Sequence, residues 1–144
     1  MRHRQKIEVD DAQKMGEWYW EGNVQAKIVA YLASKGFEIF RVANTEIREP
    51  GVDIEALDLS GKRLLITVKG FPTKSINTQA RHWFSQAIFD LILYKQDHPN
   101  SNFAIGLPAG FATYENLSRR VIWFKSVLPF RYYWVYEDGS VKVE

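Results

Sequence analysis

The sequence predicts an α/β protein in which a mixed central β-sheet carries helices on both of its faces. Two segments with helical spacing of apolar residues, at 17–36 and 78–97, alternate with short apolar or alternating runs that are typical of strands. The predicted order is α, β, β, β, α, β, α, β, β, and such a mixture favours a sheet covered by helices. At 144 residues the chain is long enough for one domain with a sizeable core.

Each element follows from a local pattern. The first helix shows apolar residues at helical spacing and ends at Gly36, a residue type that commonly terminates helices. The segment 102–108 is almost entirely apolar, which predicts a strand buried on both sides. The other predicted elements are strands at 37–42, 52–58 and 62–70, a helix near 112–127, and a closing hairpin with its turn at 137–139.

Composition limits the classes of protein that this chain can belong to. Residues 1–16 are polar and are expected to form a flexible arm, with a single domain at 17–144. The absence of cysteine excludes disulfides and thiolate metal sites. No apolar run reaches the roughly 18 residues of a membrane span, and the start lacks the apolar stretch of a secretory signal. We therefore expect a cytoplasmic protein with no membrane partner.

The charge distribution is more informative than the net charge of +2. No acidic residue occurs from position 59 to position 89, a window that contains the basic residues Lys74, Arg81 and His82. Such a cluster attracts phosphate groups, so these side chains are candidates for nucleic-acid binding. The alternative is an ordinary solvated basic face, and the sequence leaves both readings open.

The two central strands predict that a carboxylate and an ammonium group lie on the same face of the sheet. The loop 59–61 ends in Gly61, which suits the left-handed position of a three-residue hairpin loop. In the matching register Asp53 lies opposite Thr67, and Lys69 is its diagonal neighbour, about 7 Å away between backbones. A structural ion pair is the alternative to a functional site here.

The motifs WEGNVQ, GVDIEA, VKG and QARHWF, in this order, resemble an uncharacterised bacterial branch of the restriction-endonuclease-like, or PD-(D/E)XK, nuclease superfamily. The resemblance covers most of residues 18–108. It implies a restriction-endonuclease-like core and a nuclease that uses Mg²⁺ or Mn²⁺ to cut DNA. In such sites carboxylates hold a hard cation, while a lysine orients the nucleophile and offsets negative charge.

The resemblance assigns roles to positions in this chain. Asp53 and Lys69 are the expected catalytic residues, with Glu21 as an accessory helix carboxylate. The expected metal ligands are Asp53, Glu21, Thr67 and Val68. The positions expected to line the cleft are Gln79, Gln86 and Glu55.

The chain departs from the family pattern at Thr67, where the motif carries Asp or Glu. A neutral hydroxyl lowers the negative charge at a metal site, so the missing carboxylate must come from elsewhere if the site is active. Some members supply it from the following helix, but here Asp90 is eleven residues beyond Gln79, about 16 Å along the axis, and is expected to lie too far away. Glu55 is displaced by two residues along its strand, which leaves Glu21 as the preferred source.

Three functions remain open at this point. The first is a metal-dependent endonuclease acting on DNA. The second is a module of the same fold that binds nucleic acid without cutting it, with Thr67 marking the lost activity. The third is a non-enzymatic interaction domain that uses its last hairpin as a dimer edge. A domain of this size offers little room for reading bases, so a homodimer or a partner protein is also expected.

Overall fold

The computed structural model describes residues 16–47 and 49–144, so all but the last residue of the predicted arm at 1–16 lies outside the described residues. The elements are, in chain order, α1 (Glu21–Ser34), β1 (Glu38–Val42), β2 (Ile54–Leu57), β3 (Arg63–Val68), α2 (Ile76–Asp97), β4 (Asn102–Pro108), α3 (Ala112–Arg120), α4 (Phe124–Val127), β5 (Arg131–Val135) and β6 (Val141–Val143). This order is the predicted one, with the third helix divided in two.

The strands form one six-stranded sheet in which spatial order follows chain order, β1 to β6. The three central strands β3, β4 and β5 are parallel. Antiparallel strands extend the sheet on both sides of this parallel centre. Strands β2 and β1 follow β3 on one side, and β6 follows β5 on the other. The predicted mixed sheet is therefore confirmed.

Two separate apolar layers cover the faces of the sheet. Helix α1 packs through Val24 and Ile28 against the face that carries Ile54 and Ile66, here called the α1 face. Helix α2 packs on the other face, which carries Leu65 and is here called the α2 face. Because alternate residues of a strand point to opposite faces, Thr67 and Lys69 belong with Leu65 on the α2 face. Helices on both faces were predicted and are confirmed.

The β2–β3 hairpin has the predicted register. Ile54 lies opposite Ile66, and Glu55 lies opposite Leu65. The Asp58 amide donates a hydrogen bond of 2.9 Å to the Lys62 carbonyl, which closes the three-residue loop. Gly61 has a φ of +84°, the left-handed conformation that the loop requires. The alternation of apolar residues and one glycine were therefore sufficient to define this pairing.

Two helix boundaries differ from the prediction. Helix α1 begins at Glu21 rather than near residue 17, because Trp20 adopts an extended backbone conformation with a ψ of 141°. The predicted helix at 112–127 is divided into α3 and α4, and the backbone between them is tightened, with the Ile122 amide donating to the Arg119 carbonyl. Within the ranges that the structure describes, no helix has the length and apolar character that crossing a membrane would require.

An aromatic cluster surrounds the end of β3. The rings of Phe71 and Phe111 stack with centroids 3.9 Å apart, and Trp18 stacks on the other side of Phe111 at 5.7 Å. Tyr19 and Tyr114 meet these rings edge to face. The cluster joins the turn before α1, the loop after β3 and the start of α3, so it fixes three chain segments at one end of the sheet.

Leucines on opposite sides of α2 provide a test of this packing. Leu91 is 0% exposed against the sheet, whereas Leu93, two residues away, is 44% exposed. We expect Leu91→Ala to lower the free energy of unfolding by about 2–5 kcal/mol, because it leaves a cavity under the helix. Leu93→Ala should change it by no more than about 0.5 kcal/mol. Urea denaturation measures both, and equal losses would contradict the assignment of the buried face.

Candidate functional site

The candidate site lies at the end of the sheet where β2 begins and β3 ends. Asp53 immediately precedes β2, and Lys69 immediately follows β3. One oxygen of Asp53, Oδ2, accepts a hydrogen bond of 2.7 Å from the amide of Val68. Beyond the last regular pair of residues in β2 and β3, this bond takes the place of a backbone hydrogen bond between the strands. It holds the carboxylate against the end of β3. Val68 thus contributes through its backbone, and its side chain is buried on the α1 face.

A second carboxylate reaches the site from helix α2. The Thr67 hydroxyl donates a hydrogen bond of 2.7 Å to Oδ2 of Asp90. The Lys69 ammonium lies 3.5 Å from the same oxygen, and the two charged side chains are 17% and 31% exposed, respectively. Thr67 is fully buried, so the donor side of this hydrogen bond is shielded from solvent. Two strand residues therefore hold Asp90 directly beside the position where the family motif carries an acid.

The expectation that Asp90 lies too far from the site is wrong. That estimate placed the site level with Gln79, near the start of the helix. Helix α2 has 22 residues, which corresponds to about 33 Å, whereas the 6 residues of β3 span about 20 Å. The connecting loop carries the helix start past the end of the strand, so the helix passes Thr67 with its second half. The hydrogen bond between Thr67 and Asp90 fixes that level.

Burial and charge have opposing effects on the pKa of Asp53. Burial raises the pKa of this carboxyl, and the negative charge of Asp90 raises it further. The Val68 amide, the Lys69 ammonium and the Thr67 hydroxyl act in the other direction, but burial prevails. A desolvated carboxylate next to a second carboxylate is an arrangement that a bound cation would stabilise.

Tyr94 completes the site from the next turn of α2. Its hydroxyl interacts with the side chain of Thr67 and the backbone of Asp53. Burial raises the pKa of the Tyr94 phenol, and the charges of Asp53 and Asp90 raise it as well. The phenol thus stays protonated within the site. Asp90 and Tyr94 continue the helical stripe of Gln79 and Gln86, and this spacing was the sequence signal that could have identified them.

Glu21 lies at the same end of the sheet, near Gly70 and Tyr114. It is the first residue of α1, whose apolar side packs on the α1 face. Its amide lies next to Gly70, where an added Cβ would come within 2.6 Å of it. The buried Tyr114 hydroxyl donates a hydrogen bond of 2.6 Å to the Gly70 carbonyl, and the Glu21 charge contributes to raising the pKa of that phenol. The described contacts of Asp53 are with Val68, Thr67, Lys69, Asp90 and Tyr94.

The other predicted residues surround the site at greater distances. Glu55 is half-buried and lies opposite Leu65, two residues along β2 from Asp53, as the register predicted. Gln86 is one helical turn before Asp90, whereas Gln79 is about 16 Å from Asp90 along the axis. The exposed members of the predicted set are Gln79, Gln86, Lys74, Arg81 and His82.

The oxygen donors of the site suit a magnesium ion. Across 16–47 and 49–144, no three Asp, Glu or His side chains come together as a metal-binding group. Mg²⁺, however, is commonly held by one or two carboxylates with water filling its other positions. Asp53 and Asp90 form such a pair, and the contacts above engage Oδ2 of each. The site therefore fits a partly hydrated Mg²⁺ or Mn²⁺ better than a cation that needs a complete protein cage.

The mixed six-stranded sheet with helices on both of its faces defines an α/β fold. No protein-family model and no curated protein matches the chain. Two solved structures are similar. The first is an XisH family protein from Nostoc punctiforme, with a TM-score of 0.56 and 15% identity over 83% of this chain and 95% of that chain. The second is an FdxN element excision controlling factor protein from Anabaena variabilis, with a TM-score of 0.55 and 16% identity over 83% of this chain and 96% of that chain. At these identities the likeness shows the fold.

The raised pKa of Asp53 predicts a stability change of definite sign. A carboxyl whose pKa is raised by folding binds its proton more tightly in the folded chain, so the free energy of unfolding falls as the pH rises through the folded pKa. Asparagine resembles the protonated form. In EDTA at about pH 7, we expect Asp53→Asn to unfold at a higher urea concentration than the wild type, and the difference should vanish below the ordinary pKa of 3.8.

Asp58 is the matched control for this experiment, because its pKa shift has the opposite sign. Its carboxylate is exposed, and hydrogen bonds from Ser60 and Lys62 lower its pKa. Asp58→Asn should therefore reduce stability at neutral pH and not at acid pH. If Asp53→Asn behaves like Asp58→Asn, burial does not dominate the electrostatics of Asp53.

Proposed function

We propose that this chain is a nuclease that hydrolyses phosphodiester bonds in DNA with a Mg²⁺ or Mn²⁺ ion held by Asp53 and Asp90. Lys69 is the proposed catalytic lysine. Glu21 remains the accessory carboxylate that the resemblance implies, and Asp90 is added as the second carboxylate of the proposed metal site. The proposal is supported by the geometry of the side chains at the end of β3.

One observation carries the proposal. Position 67 lacks the acid of the family motif, yet its hydroxyl holds an acid from α2 at 2.7 Å. A carboxylate is thereby returned to the place that the strand residue vacated, beside the lysine of the motif. A surface ion pair between Lys69 and Asp90 would not need a buried threonine to orient the carboxylate. The arrangement is better explained by a requirement for two acids and one amine at this point.

The residues of the proposed site have separate roles in phosphodiester hydrolysis. A divalent ion bound here would polarise the scissile phosphate and lower the pKa of a bound water. Lys69 would orient that water and offset negative charge that develops on the phosphate. Thr67 holds the Asp90 carboxylate in position from the buried side, and the Tyr94 hydroxyl contacts Thr67 and the backbone of Asp53. Burial of this wall keeps bulk water to one side, which strengthens each electrostatic contact.

One structural neighbour is an FdxN element excision controlling factor protein. A metal-dependent nuclease site in a protein of this fold is consistent with a part in excision. The proposal for this chain extends to that role only through the shared fold.

Cleavage assays on plasmid DNA test the proposal directly. In Mg²⁺ or Mn²⁺ we expect nicking that each of Asp53→Asn, Asp90→Asn and Lys69→Met reduces at least about 100-fold, because each removes a group that acts on the transition state. Asp97→Asn is the matched control, since Asp97 is an exposed acid at the end of the same helix. An Asp90→Asn variant as active as the Asp97→Asn variant would remove Asp90 from the site.

A second candidate is a module that grips DNA without cutting it. Asp90 is already satisfied by Thr67 and Lys69 through a hydrogen bond and an ion pair, and this favours a network that is stable without metal. Such a module would retard DNA in EDTA and show a steep salt dependence. It would release no cleavage product in the plasmid assay, so the two candidates give opposite results.

Exchanging the two side chains tests whether Asp90 replaces the strand acid. In the variant Thr67→Asp/Asp90→Thr the carboxylate returns to the strand and the hydroxyl moves to the helix. We expect Asp90→Thr alone to weaken Mn²⁺ binding at least about tenfold, and the double variant to recover most of that loss. Calorimetry with Mn²⁺ measures both. A double variant that binds no better than Asp90→Thr would show that position 67 cannot serve the metal.

A further inference from the structure

The α2 face of the sheet is open next to the candidate site. Helix α2 covers Leu65, which is fully buried, but the residues opposite and beside it on β2, Glu55 and Leu57, are only half-buried. On the other face of the same strand, Ile54 and Ala56 are fully buried under α1. The outer hairpin therefore presents one side to solvent, and this exposed side begins at Asp53.

An aromatic ring lies on this open face. The β1–β2 pairing has an irregularity between Ile39 and Arg41, so that Phe40 is the extra residue and Arg41 lies opposite Glu55. In such a bulge the extra residue shares a face with its successor, which directs Phe40 to the α2 face. The guanidinium of Arg63 lies 5.5 Å from the centre of the Phe40 ring. Arg63 thus orients the ring, which remains 45% exposed.

The charges around Phe40 favour a base over a phosphate as the group that contacts this ring. Glu38 and Glu55 lie on it together with the two arginines. The Arg41 side chain is already engaged, since it donates hydrogen bonds to the backbone carbonyls of Val52 and Pro50. The remaining surface is an aromatic ring with one cationic neighbour between acids. This combination suits the flat face of a nucleobase better than it suits a phosphate group.

We propose that Phe40 and Arg63 form a stacking platform for an unpaired base of the DNA strand that enters the Asp53–Asp90 site. This inference rests on the proposed function and names its substrate as DNA with a single-stranded portion next to the duplex. Arg63 is four residues from Thr67 on the same face of β3, about 13 Å, so a short strand reaches from the platform to the carboxylates. Bases inside a duplex are covered on both sides, and only an unpaired base can occupy the ring.

Binding measurements in EDTA test the platform separately from cleavage. The DNA probes are a blunt duplex, the same duplex with a single-stranded tail of about ten nucleotides, and that duplex with an abasic tail of equal length. We expect Phe40→Ala to weaken binding of the tailed duplex by about 5- to 150-fold, the range measured for one stacked base. Binding of the blunt duplex and the abasic tail should stay unchanged, as should the slope of affinity against salt, because no phosphate contact is lost.

Val42→Ala is the matched control. Val42 has the same exposed fraction, 45%, on the same strand, but it lies opposite Ile54 on the other face of the sheet. It should bind all three probes like the wild type. Phe40→Trp should retain or increase affinity for the tailed duplex, which keeps the test valid even if Phe40→Ala folds poorly. Thermal unfolding of each variant confirms the folded state.

The outcomes separate this inference from the proposed function. Equal effects of Phe40→Ala and Val42→Ala, or equal losses for base-containing and abasic tails, would overturn the platform even if the plasmid assay shows metal-dependent cleavage. A selective loss for the base-containing tail supports the platform. If that selective loss appears while no metal ion produces cleavage, the platform stands and the nuclease activity is refuted.

Discussion

The hydrogen bond between Thr67 and Asp90 is the contact on which the rest of the site depends. It joins the end of the central strand to the second half of the long helix, and it pairs a fully buried hydroxyl with a partly buried carboxylate. A buried hydroxyl and a partly buried carboxylate each cost free energy unless they are paired, so the bond fixes the helix at one level along the strand. Lys69 and Tyr94 then lie near a carboxylate, that of Asp90, whose position is fixed. Without this contact the end of the hairpin would carry a single acid, Asp53.

The proposed site keeps the chemical arrangement that the resemblance implies, with one carboxylate supplied by a different element. A carboxylate needs only to reach the right point in space, and a side chain from a neighbouring helix reaches it as well as one from the strand. In this proposal the Thr67 hydroxyl orients the carboxylate of Asp90. The cost is visible in Asp53, which burial keeps in an environment that disfavours its charge. Such unfavourable electrostatics are common where a protein reserves space for a ligand.

Some features could be predicted from the chain alone because they depend on local spacing. The hairpin register followed from the alternation of apolar residues and from Gly61, and it located Asp53 and Thr67 correctly relative to each other. The position of Asp90 along β3 could not be obtained in this way. It depends on how far the loop after β3 extends beyond the strand before α2 begins and runs back along the sheet. The neighbours of Glu21 depend on which face α1 covers, and apolar spacing gives no information about that choice. Long-range placement therefore limited the prediction.

The irregularity at Phe40 also affects how the molecule meets other copies of itself. Strand β1 is the outer strand on the side of the site, and a regular outer strand offers unpaired amides and carbonyls to which another chain can add. A bulge disturbs the spacing of those groups and increases the local twist, which makes the strand a poor template for such addition. The same residue that exposes a ring on the sheet thus helps to keep this border free of self-association, so the approach to Asp53 stays open to incoming molecules.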